Sequence, residues 1–199
     1  TFALMLTSAI ITCTLTTRLK DHAKMSAQAA FRTKILFDTN QLLQRAKNEE
    51  EIFSLTASQL IKLLNRSLIV YPEQNGDLGS EQFFGVDGET AQNIFSAPEE
   101  RDAANWTFAN KKRSGAGTDS YPDAKGLYLA LRTGGGVFGV VGIDLSEKPL
   151  DAFENSVLLS ILGEGALAIE NRRNALEKEQ AALQARNEEL RANLLRTIS

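Results

Sequence analysis

Cysteine and histidine are almost absent from this sequence, which holds one of each in 199 residues. With Cys13 alone, neither an intrachain disulfide nor a cysteine-based zinc site can form. A Ser-His-Asp triad or a His/Cys metal centre would depend on His22, which lies in a charged segment and is more simply a solvated residue. No pair of carboxylates stands out as an acid–base dyad. Catalytic or metal sites built on cysteine or histidine are therefore disfavoured.

The sequence also lacks an excess of either positive or negative charge. The net charge is −3, and no long tract carries a single sign. This balance disfavours a general nucleic-acid binder and a disordered charged tail. With 43% hydrophobic and 24% charged residues, the sequence is typical of a folded protein with one compact domain and helical extensions.

Residues 1–17 contain no charged side chain. As a helix they would span about 26 Å, slightly less than the ~30 Å hydrocarbon core of a bilayer. The run opens the chain, which suggests the end of a transmembrane helix. Basic residues follow this run: Arg18, Lys20, Lys24, Arg32 and Lys34. Basic residues beside a span mark its cytoplasmic side.

The sequence therefore predicts the cytoplasmic domain of an inner (plasma) membrane protein. Two alternatives remain for residues 1–17. They could form a buried core helix, or a signal peptide with Ala27-Gln28-Ala29 as its cleavage site. A signal peptide, however, carries its basic residues before the apolar run.

Helical periodicity dominates the next segments. Residues 18–47 lack glycine and proline and have apolar residues at helical spacing, which predicts one linker helix. A second helix is expected to begin near Asn48. Two further helices are predicted over 89–95 and 99–112, the latter with inward-facing residues Ala103, Trp106 and Phe108.

Four β-prone runs form two predicted hairpins. Residues 67–71, ended by Pro72, pair with 81–85 across a turn at 73–80. Residues 126–132 pair with 137–145 across three glycines. Residues 114–123 have the composition of a loop. Paired strands with helices against them predict an α+β fold with an antiparallel sheet.

The chain ends in a predicted helix that opens at Asp151 and runs to residue 199. Its first half is apolar and its second half is charged. Leucines in heptad step form a short seam in the second half: Leu176, Leu183 and Leu190, with Leu194 one turn further. The seam favours a parallel homodimer, although a lone amphipathic helix would show the same spacing.

Two motifs resemble a known family. The segment Asn105-Trp106-Thr107-Phe108, followed by GAGTDSYP at 115–122, resembles the W-x-F…AGAGTDTxP stretch of KdpD-type sensor histidine kinases, which respond to potassium and osmotic stress. Ser114, Ser120 and Tyr121 depart from that pattern. The final ELRANLLRTIS at 189–199 resembles the lead-in to the family's phosphoacceptor motif.

The resemblance implies a GAF-like sensory domain over 48–150, entered by a linker helix and closed by a helix, 151–199, that leads to a phosphoacceptor domain. The fragment would then be non-catalytic, needing no cofactor, and would transmit signals in a two-component system that regulates potassium uptake. The full-length protein would be a kinase using ATP and Mg, with a response regulator as partner. The alternative is a small-molecule-binding GAF module of another membrane signalling protein.

Two candidate sites overlap in the middle of the chain. A glycine-rich anion nest is predicted from Lys112, Arg113, Gly115 and Gly117, although the glycines could serve loop geometry alone. A ligand cavity, which the resemblance supports, is predicted from Trp106, Phe108, Thr118, Asp119, Tyr121 and Tyr128. The aromatic residues could instead be plain core, and the aspartate could be a loop cap.

Overall fold

The computed structural model describes residues 25–85 and 88–198. Contacts divide the chain into two units, 1–38 and 39–199. A helix, α1, covers residues 25–43 and is followed by a turn at 44–45, so it ends four residues before the expected boundary at 47. The predicted membrane segment 1–17 lies outside the described residues. The fold described below belongs to the second unit.

Helix α2, Glu49–Leu64, begins where the sequence predicts. The side chain of Asn48 accepts a hydrogen bond from the amide of Glu51 at 2.8 Å, which satisfies one of the free amides at the helix start. Three glutamates in the first turn complement the helix dipole. The helix ends at Asn65, which adopts the left-handed conformation.

Six strands form one antiparallel sheet with the order β2-β1-β6-β5-β4, and β3 pairs with β1. The strands are β1, Leu68–Gln74; β2, Asp77–Leu78; β3, Gln82–Phe84; β4, Ser114–Gly115; β5, Gly126–Arg132; and β6, Val137–Asp144. Both predicted hairpins are present, β1 with β3 and β5 with β6. The α+β prediction is confirmed.

Strand β1 continues through Pro72, where the sequence predicted its end. Pro72 pairs with Gly139 at the last position of the β1–β6 ladder, where a missing amide disrupts the least pairing. Its carbonyl still accepts a hydrogen bond from Gly79 at 2.7 Å. Beyond it, Asn75 and Gly76, with φ of 55° and 91°, make the tight turn into β2, a strand that the sequence had suggested was turn.

Helices α3, Gly88–Phe95, and α4, Pro98–Asn110, cover one face of the sheet. A core cluster there joins Ile69, Tyr71, Tyr128 and Val140 of the strands to Phe95 and to two alanines of α4. Side chains alternate along a strand, so Leu68 and Val70 point to the opposite face, which α2 and α5 cover. The fold is therefore a sheet between two helical layers.

Helix α5, Ala152–Ile198, begins at the predicted place. Asp151 accepts from the amide of Glu154 at 2.7 Å, and the Glu154 carboxylate accepts from the amide of Asp151 at 2.9 Å. This reciprocal pair is a capping box. The apolar half packs into the core at Val157, Leu158, Ile161, Leu162 and Ile169, whereas Leu167 is 45% exposed.

By length and composition alone, α5 could also cross a membrane, since one 18-residue window has a mean hydropathy of 1.3. The core helix of a soluble domain passes the same test, and 39% of this window is buried inside the protein. After Arg173, every side chain of α5 that the structure describes is exposed. The helix thus has a buried first half and a solvated second half.

Candidate functional site

A cleft lies at the edge of the sheet where β4 and β5 separate. Within the described ranges, β4 pairs only with Leu127 and Tyr128 of β5. The other residues of β5 are therefore paired with β6 alone. The cleft measures about 820 Å³ and is here called the sheet-edge cleft. Its walls are Trp106, Lys111, Lys112, Arg113, Gly117, Thr118, Asp119, Ser120, Leu129, Ala130, Arg132 and Leu159.

The end of α4 shapes one wall of this cleft. Lys111 caps the helix in the left-handed conformation, with φ of 57°, and its amide donates to the carbonyl of Thr107 at 2.9 Å. The buried hydroxyl of Ser114 donates to the carbonyl of Ala103 at 2.8 Å and lies 2.7 Å from the hydroxyl of Thr107. These bonds fasten β4 to α4, so residues 111–113 are held between two anchored points.

The sheet-edge cleft is strongly cationic. Lys111, Lys112, Arg113 and Arg132 are all exposed, and none forms an ion pair with another described residue. Asp119 is the single carboxylate among the lining residues. Four cations against one anion leave a surplus of positive charge, which favours an anionic occupant.

The glycine loop, residues 115–122, lies beside the cleft, and three of its backbone amides already donate hydrogen bonds within the protein. The amide of Gly115 donates to Ser120 at 2.7 Å, that of Ala116 to Gly126 at 2.9 Å, and that of Thr118 to Gly115 at 3.1 Å. An anion nest needs backbone amides that are free to donate. These three amides are therefore not free to bind an anion, Lys112 and Arg113 line the cleft beside them, and the anion nest stays a prediction.

Six of the predicted site residues line this one cleft: Trp106, Lys112, Arg113, Gly117, Thr118 and Asp119. The other aromatic candidates do not. Tyr128 is fully buried and Phe108 packs against the core cluster, so both are core residues. Tyr121 is 38% exposed, with φ of 59°, and is not among the residues that line the cleft.

Sequence reasoning missed the buried carboxylate of Glu100, which is only 2% exposed. It accepts from the amides of Lys125 and Gly126, at 2.7 and 3.1 Å, and from the hydroxyl of Tyr128 at 2.7 Å. Burial and this carboxylate raise the pKa of Tyr128 far above its usual range. Glu100 lies three, four and seven residues before Ala103, Ala104 and Thr107, and this helical spacing was the available signal.

A second pocket, about 690 Å³, lies between the β1–β2 hairpin and helices α3 and α4. The guanidinium of Arg101 stands 4.8 Å from the centre of the Tyr71 ring and donates to the carbonyls of Leu78 and Gly79, at 2.8 and 3.1 Å. Burial raises the pKa of Tyr71 to about 12, despite the opposing field of Arg101. This hairpin pocket was not predicted, because its residues come from four separate segments.

Arg173 joins three elements at the point where α5 leaves the domain. It donates to Glu49 at the start of α2 through two nitrogens, at 3.0 and 2.9 Å, and to Glu73 of β1 at 2.6 Å. Its guanidinium also stands 5.3 Å from the centre of the Phe138 ring. We name the group Arg173, Glu49, Glu73 and Phe138 the exit clasp.

The charges of the exit clasp perturb one another. The hydrogen bonds to Glu49, with those to Glu73, raise the pKa of Arg173 although burial opposes them. Burial alone would raise the pKa of Glu73. Hydrogen bonds from Arg173 and from the amide of Gly76 outweigh that effect and hold it below the ordinary 4.5.

The four leucines of the predicted seam lie beyond the exit clasp. They are 38% to 61% exposed, which leaves their apolar surface unpaired in a single chain. Exposed leucines in heptad step are the side chains that a partner helix would bury. The dimer stays a prediction.

Known proteins similar to this chain include two sensor proteins named KdpD. The one from Clostridium acetobutylicum is 30% identical over 200 residues, and the one from Escherichia coli is 26% identical over 202. Both matches cover the whole chain, and the chain spans 22% of the length of each relative. No protein-family model matches the chain.

Solved structures with the same fold are GAF domains. The GAF domain of the Escherichia coli potassium sensor histidine kinase KdpD aligns with a TM-score of 0.51 and 20% identity, covering 76% of this chain and 99% of that one. The GAF domain of a protein described as a sensor histidine kinase of Pseudomonas syringae pathovar tomato gives 0.56 and 19%, covering 80% and 97%. At this identity the structures show the fold alone. Together with the sequence matches along the whole chain, they confirm the predicted GAF-like fold and the predicted resemblance to the GAF-domain region of KdpD sensor proteins.

Proposed function

We propose that this chain is the sensory and signal-transmitting region of a membrane sensor histidine kinase in a two-component system that regulates potassium uptake. The similarity to two KdpD sensor proteins along the whole chain supports this assignment. The intact kinase would use ATP and Mg to phosphorylate its own histidine, and would pass the phosphoryl group to a response regulator. The GAF-domain region itself would carry no catalytic residue.

The location follows from the same proposal. Residues 1–17 would be the end of a membrane span, and the basic residues after them would face the cytoplasm. The GAF-like domain would then work on the cytoplasmic side of the inner membrane. Its output would be mechanical, since a change in the domain must reach a kinase core elsewhere in the protein.

The observation that carries this proposal is the continuity of α5. It is one helix of 47 residues, whose first half is core and whose second half is solvated. An uninterrupted helix transmits a shift or tilt of its buried half to its far end. The exit clasp at Arg173 is the last place where the domain can hold the helix, so it controls what is transmitted.

Transmission of this kind requires two arrangements of the helix that both ends can bias. A parallel homodimer supplies them, because two α5 helices can pack in more than one register or tilt along the leucine seam. The exposed leucines at 176, 183, 190 and 194 provide the apolar contacts for this packing.

The test is a triple variant of the full-length kinase, Leu176→Glu, Leu183→Glu and Leu190→Glu. We expect it to lose dimerisation in light-scattering measurements and to lose potassium-dependent control of autophosphorylation. The matched control, Ala181→Glu, Ala185→Glu and Ala192→Glu, adds the same charge off the seam and should retain both. Normal dimerisation and regulation in the leucine variant would refute the relay.

The second candidate function is that of a small-molecule-binding GAF module in another membrane signalling protein. Its support is the pair of cavities of about 690 and 820 Å³, volumes in the range of ligand sites. Loss of potassium control in the leucine variant, measured without an added ligand, would favour the first candidate. A ligand that regulates the kinase independently of potassium would favour the second.

A further inference from the structure

The backbone of β5 points alternately to its two neighbouring strands. In an antiparallel sheet, the amide and the carbonyl of one residue face the same neighbour, and those of the next residue face the other. The carbonyl of Lys125 accepts a hydrogen bond from Leu145, directly after β6, at 3.1 Å, and the carbonyl of Gly126 accepts one from Ala116, directly after β4, at 2.9 Å. Odd-numbered residues of β5 therefore face β6, and even-numbered residues face β4.

Strand β4 is too short to cover its whole side of β5. It has only two residues and pairs with no described residue of β5 beyond Tyr128. The backbone groups of Ala130 and Arg132 on this side have no strand against them in the parts of the chain that the structure describes. The next residue, Thr133, faces β6 again, since its amide donates to the carbonyl of Gly136 at 3.0 Å. Ala130 and Arg132 thus form an open strand edge, which is a template for another strand.

Apolar side chains flank the open edge on both faces of the sheet. Leu129 pairs with Val141, which places it on the face that α2 and α5 cover, and Leu159 of α5 lines the cleft there with 51% of its surface exposed. On the other face, Trp106 of α4 is half-buried in the cleft wall. A strand presents its side chains alternately to the two faces of a sheet. A strand added in the plane of the sheet would therefore contact both apolar surfaces at once.

The charge of the cleft determines which strand fits. Lys111, Lys112, Arg113 and Arg132 lie around the open edge without a carboxylate partner among the described residues, and Asp119 is the single carboxylate of the lining. Pairing between two copies of this edge would bring cations against cations, which disfavours a second copy as the occupant. A strand that carries carboxylates would neutralise the surplus positive charge instead.

We propose that the open edge of β5 binds an acidic, extended peptide segment of a partner protein as an added strand. The peptide backbone pairs with Ala130 and Arg132, its acidic side chains lie towards the cations at 111–113 and Arg132, and its alternate side chains pack on Leu159. In this mode of recognition, backbone hydrogen bonds supply affinity and side chains supply selectivity. Binding is independent of the kinase assignment; only its consequence, through Leu159 of α5, rests on the proposed relay.

The experiment titrates a short, fluorescein-labelled peptide of alternating glutamate and valine with the full 199-residue chain and records fluorescence anisotropy. We expect saturable binding. In the extended peptide, the glutamate amides lie on one edge and the valine amides on the other. Two further peptides are N-methylated, one at its glutamates and one at its valines, so each loses the donors of one edge while keeping its charge. One of them should bind at least about tenfold more weakly, because backbone hydrogen bonds are lost, and the other should keep its affinity.

Amide hydrogen exchange, followed by NMR, locates the peptide on the strand. The amides of Ala130 and Arg132 face the open side, so the bound peptide should slow their exchange. The amide of Leu131 faces β6 and is already paired, so its exchange should not change and serves as the internal control.

Two double variants test the role of charge. Lys112→Glu with Arg113→Glu reverses two charges beside the open edge and should weaken peptide binding at least about tenfold. The control, Arg45→Glu with Lys47→Glu, makes the same change of charge at exposed positions outside the cleft. It should keep the affinity within about twofold, because salt screens distant charges. Unfolding curves without peptide verify that both variants fold.

Four outcomes would overturn the proposal. They are an absence of saturable binding, an equal affinity of the two N-methylated peptides, unchanged exchange at Ala130 and Arg132, and an equal loss of affinity in the control variant. Equal affinity of the N-methylated peptides would mean that charge alone attracts the peptide, without strand pairing. Failure of peptide binding would leave the leucine-seam result untouched, so the two proposals can fail separately.

Discussion

The guanidinium of Arg173 and the carboxylate of Glu49 form a two-point pair, with N–O distances of 3.0 and 2.9 Å, between residues 124 positions apart in the chain. A planar guanidinium matches a carboxylate at both oxygens, so this pair sets orientation as well as distance. It ties the first turn of α2 to the point where α5 leaves the core. The pair therefore adds an oriented polar contact to the apolar packing of these two helices.

Replacing that side chain tests its contribution to stability. Arg173→Met keeps an unbranched apolar stem but removes the hydrogen bonds to Glu49 and Glu73. We expect the free energy of unfolding in urea to fall by about 1–3 kcal/mol, since the pair is half-buried and both carboxylates lose their partner. Arg186→Met, on the exposed part of α5, should change it by less than about 0.5 kcal/mol.

The acid limb of stability should report the same clasp. The folded-state pKa of Glu73 lies below its ordinary 4.5, so near that pH the unfolded chain binds more protons. Glu73 thus contributes stability above pH 4.5, and the contribution is lost as pH falls through the folded value. Urea unfolding from about pH 6 to about pH 3 should show this loss in the native chain. A loss of the same size in Arg173→Met would contradict the assignment.

The buried carboxylate of Glu100 makes a larger prediction. Glu100→Ala leaves the hydroxyl of Tyr128 and the amides of Lys125 and Gly126 buried without acceptors. The free energy of unfolding should fall by about 3 kcal/mol or more, whereas Tyr128→Phe should cost about 1 kcal/mol. Glu99→Ala, the exposed neighbour, serves as the control. Equal effects at positions 99 and 100 would refute the role of the carboxylate.

Alkaline titration tests the burial of two tyrosines. Burial raises the pKa of Tyr71 to about 12 and that of Tyr128 further, so both remain neutral in the folded protein when an unfolded chain would already ionise. A raised pKa supplies stability below the unfolded value of about 10, and this is lost as pH rises towards the folded value. Ultraviolet absorbance should therefore show these two phenols ionising only as the protein unfolds. Their ionisation in a protein that remains folded would contradict the structure.

The glycine loop can be tested with two alanine substitutions and a control at Gly134 in the turn between β5 and β6. Gly115 has φ of 91°, and a Cβ there would collide with the carbonyl oxygen of Gly126, so Gly115→Ala should separate β4 from β5 and cost more than about 2 kcal/mol. Gly117, with φ of 75°, faces open space, so its alanine variant should cost only backbone strain, about 1 kcal/mol. Gly134 has neither constraint and should be near neutral. Urea unfolding checks this ranking, and any other order contradicts it.

Local patterns in the sequence were enough to determine most of the elements. β-prone runs located β1, β5 and β6, with alternating leucines in β5, and Asp151 marked the start of α5 within one residue. The motif at Trp106 and residues 115–122 resembles KdpD-type sensor kinases, and the comparisons found two KdpD sensor proteins similar along the whole chain. Patterns of this kind act between near neighbours, so the order of residues contains them.

Only the tertiary structure decided which of the candidate residues meet. It placed Tyr128 in the core beside Glu100 and Trp106 and Asp119 in the walls of one cationic cleft. It also showed that the amides of Gly115 and its neighbours donate hydrogen bonds within the protein. It also brought Arg173 to Glu49 and Glu73, which lie 124 and 100 positions away. Such contacts depend on strand order and helix packing, because residues this far apart meet only after the sheet has paired and both helical layers have closed over it.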